Sequence, residues 1–421
     1  MALAAAKQEA TDTRLSAMGP VRDSGCLATA RAEALTRVRD MGLPARRDEY
    51  WKYTSPADLT GDVVKTVPVA SAPLMSEGAL RVVFVDGVFD AARSDDLDAA
   101  GLSIERLSEV EATDIHWAKD LYGTLESRGN TPVARPLGAL NTAYATDGIV
   151  VHVQSGSDVI LNLIYETNSE SSEVFLHHLI KIETGAAVTL LEDGTAGARG
   201  NTALEVVVGD EASFNHLRTQ GVAPDRRVVT HLYADLGTKS AFKSFTAATN
   251  GAVTRNEAVI TLNGDEAAAH IAGAFLGNGA TLHDDTVFIT HDAVDCESRQ
   301  VFKKVLRNGA TGVFQGKILV QPDAQKTDGY QISQSLLLDE DSQFLAKPEL
   351  EIYADDVACS HGSTSGAIDG DALFYLRARG VEKAEAQNLL TLSFLAEAVE
   401  EIEDESLAEL VLGRLEDWLR A

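Results

Sequence analysis

The chain has 421 residues, with 36 Lys and Arg against 64 Asp and Glu, a net charge of −28 with histidine neutral. That excess of negative charge argues against nucleic acid and anionic membranes as partners. At 45% hydrophobic and 24% charged residues, the composition is that of a folded chain with a large core, which excludes disorder.

Two or three domains are expected at this length. From Thr13 to Met41 the apolar positions Leu27, Ala30, Ala34, Val38 and Met41 keep helical spacing, and Gly42 followed by Pro44 supplies a stop. The charged and aromatic cluster from Arg46 to Tyr53 comes next, then a strand from Leu80 to Phe89 turning at Asp86-Gly87, then a weak helical signal from Leu97 to Leu125. Residues 1–145 read as an N-terminal helical and mixed domain.

Over residues 146–368 short β-type segments follow one another: Ile149 to Val153, Val159 to Tyr165, Val174 to Ile182, Val188 to Leu191, Leu204 to Val208, Arg227 to Tyr233, Ala241 to Ala247, Ala258 to Leu262 and Val287 to Thr290. Almost none is followed by a helix-length pattern, which excludes a doubly wound α/β fold. Gly185, Gly194, Gly209, Gly237, Gly251 and Gly264 recur at irregular intervals, as variable turns between solenoid coils would require. Pattern alone leaves a sandwich and a β-solenoid level. Residues 369–421 are helical, with Leu389 to Ile402 and Leu407 to Leu419 as amphipathic segments and Ser406 with Glu409 as a capping box. Such a pair either packs on the β body or offers a face to a partner.

Several chemistries are absent. No G-x-x-x-x-G-K-[ST] loop occurs, so the chain is not itself a P-loop ATPase. Cys26, Cys296 and Cys359 are too few and too scattered for a disulfide framework, a four-thiolate cluster or an all-cysteine zinc site. No apolar run reaches the ~18 residues of a membrane helix, and Lys7 and Glu9 interrupt Met1 to Ala10 where a secretion core would be apolar. The expected compartment is the cytoplasm.

The most suggestive cluster is Asp355-Asp356-Val357-Ala358-Cys359-Ser360-His361-Gly362. In an extended segment Cys359 and His361 project from one face, because strand side chains alternate with a period of two. A thiolate beside an imidazole is half of a site for iron or zinc. With no second pair in reach, the rest would come from another chain or an exogenous thiol. The alternative is a small buried Cys359 and a hydrogen-bonded His361 in a turn. Cys296 with His291-Asp292 and His283-Asp284-Asp285 is a weaker metal candidate, and these residues, like Lys303, Lys304, Lys317 and Lys326, are expected on solvated faces. His177 and His178 point to opposite faces of a strand and make a poor chelating pair.

Six segments taken together resemble a known family: Gly312-Val313-Phe314-Gln315-Gly316-Lys317-Ile318, Ala324-Gln325-Lys326-Thr327-Asp328, Leu336-Leu337-Leu338, Pro348-Glu349-Leu350-Glu351-Ile352, the cluster from Asp355 to Gly362, and Leu373-Phe374-Tyr375-Leu376-Arg377-Ala378-Arg379-Gly380. In order and spacing they are similar to the SUF iron–sulfur assembly scaffold proteins, the SufB/SufD family. Leu43-Pro44 through Tyr53, Ala139-Leu140-Asn141 and Asp147-Gly148 extend the likeness over nearly the whole chain. The Cys359–His361 motif and the segment from Leu373 to Gly380 resemble the SufD branch rather than the SufB branch. Lys304, Ser333, Ser335 and Ala358 depart from the residues usual in the family.

The resemblance implies a mainly β fold: a right-handed parallel β-helix core flanked by N-terminal and C-terminal helical domains. It implies a non-catalytic scaffold subunit of a SufB–SufC–SufD complex, pairing its β-helix with SufB and docking the ABC-type ATPase SufC through the C-terminal helices. His361 is then a ligand of a nascent iron–sulfur cluster shared with SufB, and Cys359 an auxiliary thiolate. Reduced FAD in the complex and homodimerisation of the isolated chain belong to the same expectations. The competing readings are a β-helix carbohydrate-active enzyme using paired carboxylates and a purely structural adaptor with no ligand.

Overall fold

In the computed structural model, which describes residues 3–62, 65–66, 73–74, 76–97, 102–221 and 223–420, strands of eight to eleven residues from Asp158 onward are separated by turns of three to six. Such turns leave no room for crossover helices. Consecutive strands therefore go alternately to two sheets, each bonding in parallel to the strand one full coil away. Among the described residues the front sheet has ten strands, ending at Val357–Gly366, and the back sheet nine, ending at Gln343–Ile352. This is a parallel β-solenoid with helices at both ends, which resolves the choice between sandwich and solenoid.

The coil length explains why no sharp repeat shows in the sequence. Ala187 lies opposite Ser213, Ser213 opposite Ala241, Ala241 opposite Ala268 and Ala268 opposite Glu297, so over these coils the repeat wanders between 26 and 29 residues, and it lengthens further in the last coils. One corner is nonetheless regular. Glu211, Lys239, Glu266, Asp295 and Lys326 all turn there with φ near +60°. Gly237 and Gly264 stack at the same corner, where a Cβ on Gly264 would lie 2.0 Å from the Thr238 nitrogen. Any side chain would force the coils apart.

Inside, equal positions of successive coils form ladders. Val151, Ile180, Val206, Ala234, Ile260, Ile289 and Ile318 stack in register along the back sheet and are buried. Burying each aliphatic chain contributes about 1.5–3 kcal/mol. Towards the C-terminal ends of the front-sheet strands, and facing them across the interior, the ladders turn polar. The Glu192 carboxylate accepts from Tyr165 Oη (2.7 Å) and Arg218 Nε (2.8 Å) and meets His216 Nε2 (2.8 Å), while Thr230 donates to Asn256 Oδ1 (2.8 Å). Further on, Lys304 Nζ donates to Asp285 Oδ2 at 2.7 Å and meets His283 Nδ1 at 2.8 Å.

This corrects the expectation of solvated strand ends. His283, Asp284, Asp285, His291, Lys303 and Lys304 are all buried. They sit on ladders inside the solenoid or under packed helices, where each charge is matched. His177 and His178 do face opposite ways: His177 reaches Glu205 beneath the N-terminal helices and His178 reaches Tyr165 in the interior.

Buried imidazoles titrate against stability. Burial pushes His178 and His291 down to about 4 from the usual 6.5. The unfolded chain then binds protons more readily below pH 6.5, and stability is lost as pH falls towards 4. From pH 7 to pH 5 the unfolding free energy should drop by roughly 3–4 kcal/mol. Denaturant titration at the two values checks this, and an unchanged midpoint would contradict it.

The helical parts cover opposite outer faces. The opening region expected to be helical from Thr13 to Met41 is occupied by two helices, Ala5–Met18 and Ala28–Met41, separated where Gly19 and Pro20 break the pattern. The weak signal from Leu97 to Leu125 resolves into a strand, Leu102–Arg106, and short helices Leu107–Glu111, Ala118–Leu121 and Thr124–Arg128, with residues 98–101 outside the described set. The strand Leu80–Val85 turns at Asp86-Gly87 into Val88–Phe89 and extends the front sheet. Helix Pro136–Tyr144, with proline in its first turn, is pinned to the back sheet by Asn141, whose Nδ2 donates to the carbonyls of Leu176 (3.0 Å) and Asn201 (2.8 Å).

At the other end, helices Lys383–Val399 and Glu405–Arg420 lay Leu395, Val399, Val411 and Leu415 on the front sheet. Arg299 to Glu401 (2.6 Å), Arg414 to Asp193 (3.0 Å) and Lys303 to Glu397 fasten them. The cap of the last helix is Asp404 rather than Ser406, since its carboxylate accepts from the Ser406 and Leu407 nitrogens. No helix among the described residues is long and apolar enough to cross a membrane.

Candidate functional site at the open end of the solenoid

A solenoid must end somewhere, and its last coil leaves interior side chains without a coil above them. Here that coil is made by Gln343–Ile352 and Val357–Gly366, each the terminal strand of its sheet. Their outer edges present unpaired backbone groups. Cys359 and His361 both lie on the second of these strands, opposite Gly329 and Gln331 of the strand Thr327–Leu337.

The register decides which way they face. Ile332 packs outward among the C-terminal helices while Gln331 is fully buried, so Gln331 and its ladder partner His361 belong to the interior face. Below them Gln331 Nε2 donates to Gln300 Oε1 at 3.0 Å. Gly316 makes this possible, because a Cβ there would lie 2.1 Å from Gln331 Nε2. Cys359 stacks over Gly329, where a Cβ would sit 3.1 Å from the thiol sulfur, and beside Ile318 and Leu350. Glycine at 316 and 329 thus creates the room that the column needs.

The two side chains differ in setting. Cys359 is half-buried, and burial raises its thiol above the usual value of 9.0, with Asp328 adding to the effect. The shift favours the protonated thiol in the isolated chain, and metal binding would displace that proton. His361 is exposed, and its side chain makes no hydrogen bond or ion pair among the described residues. Ser363 and Ser365 continue the strand and bond Ser333 (2.7 Å) and Ser335 (3.2 Å).

No group of three His, Cys, Asp or Glu among the described residues converges on one point. The Cys359–His361 pair therefore stands as two donors at an open end. Cys296, by contrast, is buried and donates to the Gly264 carbonyl at 3.3 Å, and His291 bonds Ser298, so sequence neighbours considered as a metal candidate do not meet. Every buried carboxylate among the described residues is held by arginine, lysine or histidine. Gln300, Gln331 and Lys304 were not read from the sequence as parts of one interior. The signal was a register of 30 and 31 residues linking His361, Gln331 and Gln300.

A family model described as the SUF system FeS cluster assembly, SufBD core domain, matches residues 165–394, a span that includes the open coil. The chain belongs to the SufBD family. It is 28% identical over 403 residues to the iron–sulfur cluster assembly protein SufD of Escherichia coli, covering 90% of each chain. It is 25% identical over 408 residues to an iron–sulfur cluster assembly SufBD family protein of Synechocystis, covering 90% of this chain and 88% of that one. To SufD of Bacillus subtilis it is 27% identical over 288 residues, 66% of each. The SufBD motif around Gly312 to Ile318 has a physical role in this fold. Phe314 fills the interior against Phe302, Gly316 clears Gln331, and Gln315 donates to the Tyr50 carbonyl at 3.1 Å, joining the N-terminal segment to the late coils.

Proposed function

We propose that this chain is a non-catalytic scaffold subunit of a SufB–SufC–SufD type complex, and that its last coil is the place where a nascent iron–sulfur cluster is built against a second SufBD-family β-helix. The observation that carries this reading is the open terminal coil: two unpaired strand edges beside an exposed His361 and a half-buried Cys359. Sheet edges recruit other strands, and a second solenoid brought against this end would supply the donors that the pair lacks. The cluster is cargo here. The imidazole and thiol would hold iron while sulfide and the partner's ligands complete it.

Support for an ATPase contact comes from the helix Gly370–Ala378. It has no buried residue, and Phe374 and Tyr375 are 74% and 55% exposed. An aromatic face left in water next to a docked helical pair suits a partner protein. The missing P-loop then has an explanation, since SufC would bring the nucleotide site.

Anaerobic affinity purification of the full chain from its native cells tests the proposal. An ABC-type ATPase and a second SufBD-family chain should co-elute in stoichiometric amount. Recovery of the chain alone would overturn it.

A further inference from the structure

The ends of the front-sheet strands and the last helix enclose a cavity of about 620 Å³, on a different face from the Cys359–His361 coil. Its charge setting departs from the rest of the solenoid. Seven arginines lie between residues 149 and 366. Five pair with a carboxylate: Arg199 with Glu173, Arg218 with Glu192, Arg227 with Asp58, Arg255 with Asp284 and Arg299 with Glu401. The other two, Arg226 and Arg307, pair with none among the described residues, and both flank this cavity.

Arg226 is buried behind the lining and donates to the carbonyls of Gly221, Thr249 (3.3 Å) and Asn250 (3.0 Å), three residues of the cavity wall. Arg307 faces the cavity itself. Its guanidinium lies 4.2 Å over the Trp418 ring, and its buried Nε has no acceptor among the described residues. The Asn250 side-chain oxygen, also on the wall, is buried without a donor among the described residues. Arg414 reaches the same wall already bound to Asp193, and Asp417 sits exposed at the rim. Ala247, Val411, Leu415 and Trp418 supply an apolar surface, beside Thr219, Gln220, Thr249 and Asn278.

In a chain with 64 acids, a partly desolvated guanidinium without a carboxylate is an unmet electrostatic demand. Its planar fork matches carboxylate and phosphate oxygens, and the volume is that of a small-molecule site. We propose that this cavity binds a small amphipathic anion, a carboxylate or phosphate group on Arg307 with its apolar body against Val411, Leu415 and Trp418. Such a ligand joins the last helix to the ends of the coils.

Fluorescence titration of the full chain with the aryl sulfonate 1-anilinonaphthalene-8-sulfonate tests this, followed by displacement with octanoate, octyl phosphate and neutral octanol. The expected result is one saturable site, displaced by octanoate or octyl phosphate and not by octanol, the more effective of the two identifying the head group. Arg307→Gln should weaken binding at least 10-fold and Arg307→Lys less. If Arg307→Gln loosens the helix, Asn250→Asp is the second variant: it places a carboxylate beside the cavity at nearly constant shape and should weaken binding to a similar degree. Absence of a saturable site, displacement by octanol alone, or wild-type affinity in a folded Arg307→Gln or Asn250→Asp chain would overturn the proposal.

Discussion

Arg255→Leu should lower the unfolding free energy by about 3–5 kcal/mol, the cost of leaving buried carboxylates without their cation. Arg255 is almost wholly buried, with Nε 2.7 Å from Glu257 and Nη1 on Asp284. Its guanidinium stacks 4.1 Å over Trp51, while Thr54 donates to Asp284. One side chain thus ties a strand of the back sheet to the N-terminal segment. Leucine keeps much of the volume but strands two carboxylates. Glu257, held well below the usual carboxylate range against the cost of burial chiefly by the charge of Arg255, would lose that support. Because its native value is depressed, its contribution is present above about pH 4.5 and fades as pH falls below that. Urea titration at pH 7 measures the loss, and trypsin cleavage at Arg46 or Arg47 should quicken as Trp51 is released. A change below about 1 kcal/mol would show that the ion pairs are not what holds the segment.

If the helix Gly370–Ala378 docks the proposed ATPase, Phe374→Ser with Tyr375→Ser should weaken that binding by about 1,000-fold or more, since aromatic anchors at the centre of an interface cost roughly 2–4 kcal/mol each when removed. The helix that carries them is capped by Asp369, which accepts from Asp371 (2.8 Å) and Ala372 (3.0 Å), and it buries nothing. The substitutions therefore leave the chain's own stability unchanged. Pull-down of the ATPase by the double variant, with thermal unfolding run alongside, separates the two effects. Retained binding would contradict a docking role for this helix.

Much of the β body is legible because aliphatic residues alternate along strands such as Val174–Ile182 and Ala258–Leu262, and the absence of helical spacing between them rules out crossovers. The strand Ser213–Gln220 escapes that reading. Asn215, His216, Arg218, Thr219 and Gln220 look like a loop, yet His216 and Arg218 face inward to Glu192 and stay paired there. A solenoid interior tolerates such polar ladders because successive coils supply matching partners. The same physics hid Lys304 and Asp285, whose composition suits a surface. That Cys359 and His361 share a face follows from period two alone. What lies beneath them depends on a register of about 30 residues, which no local pattern contains.

The most direct test of the central claim is iron and acid-labile sulfide analysis, with visible absorption, of the anaerobically reconstituted three-component complex carrying His361→Ala. The His361 side chain is exposed and bonds nothing among the described residues, so the variant should assemble the complex and unfold at the wild-type temperature. The account predicts at least a 10-fold loss of bound cluster, with a smaller loss for Cys359→Ala. Wild-type iron and sulfide in the His361→Ala complex would contradict it.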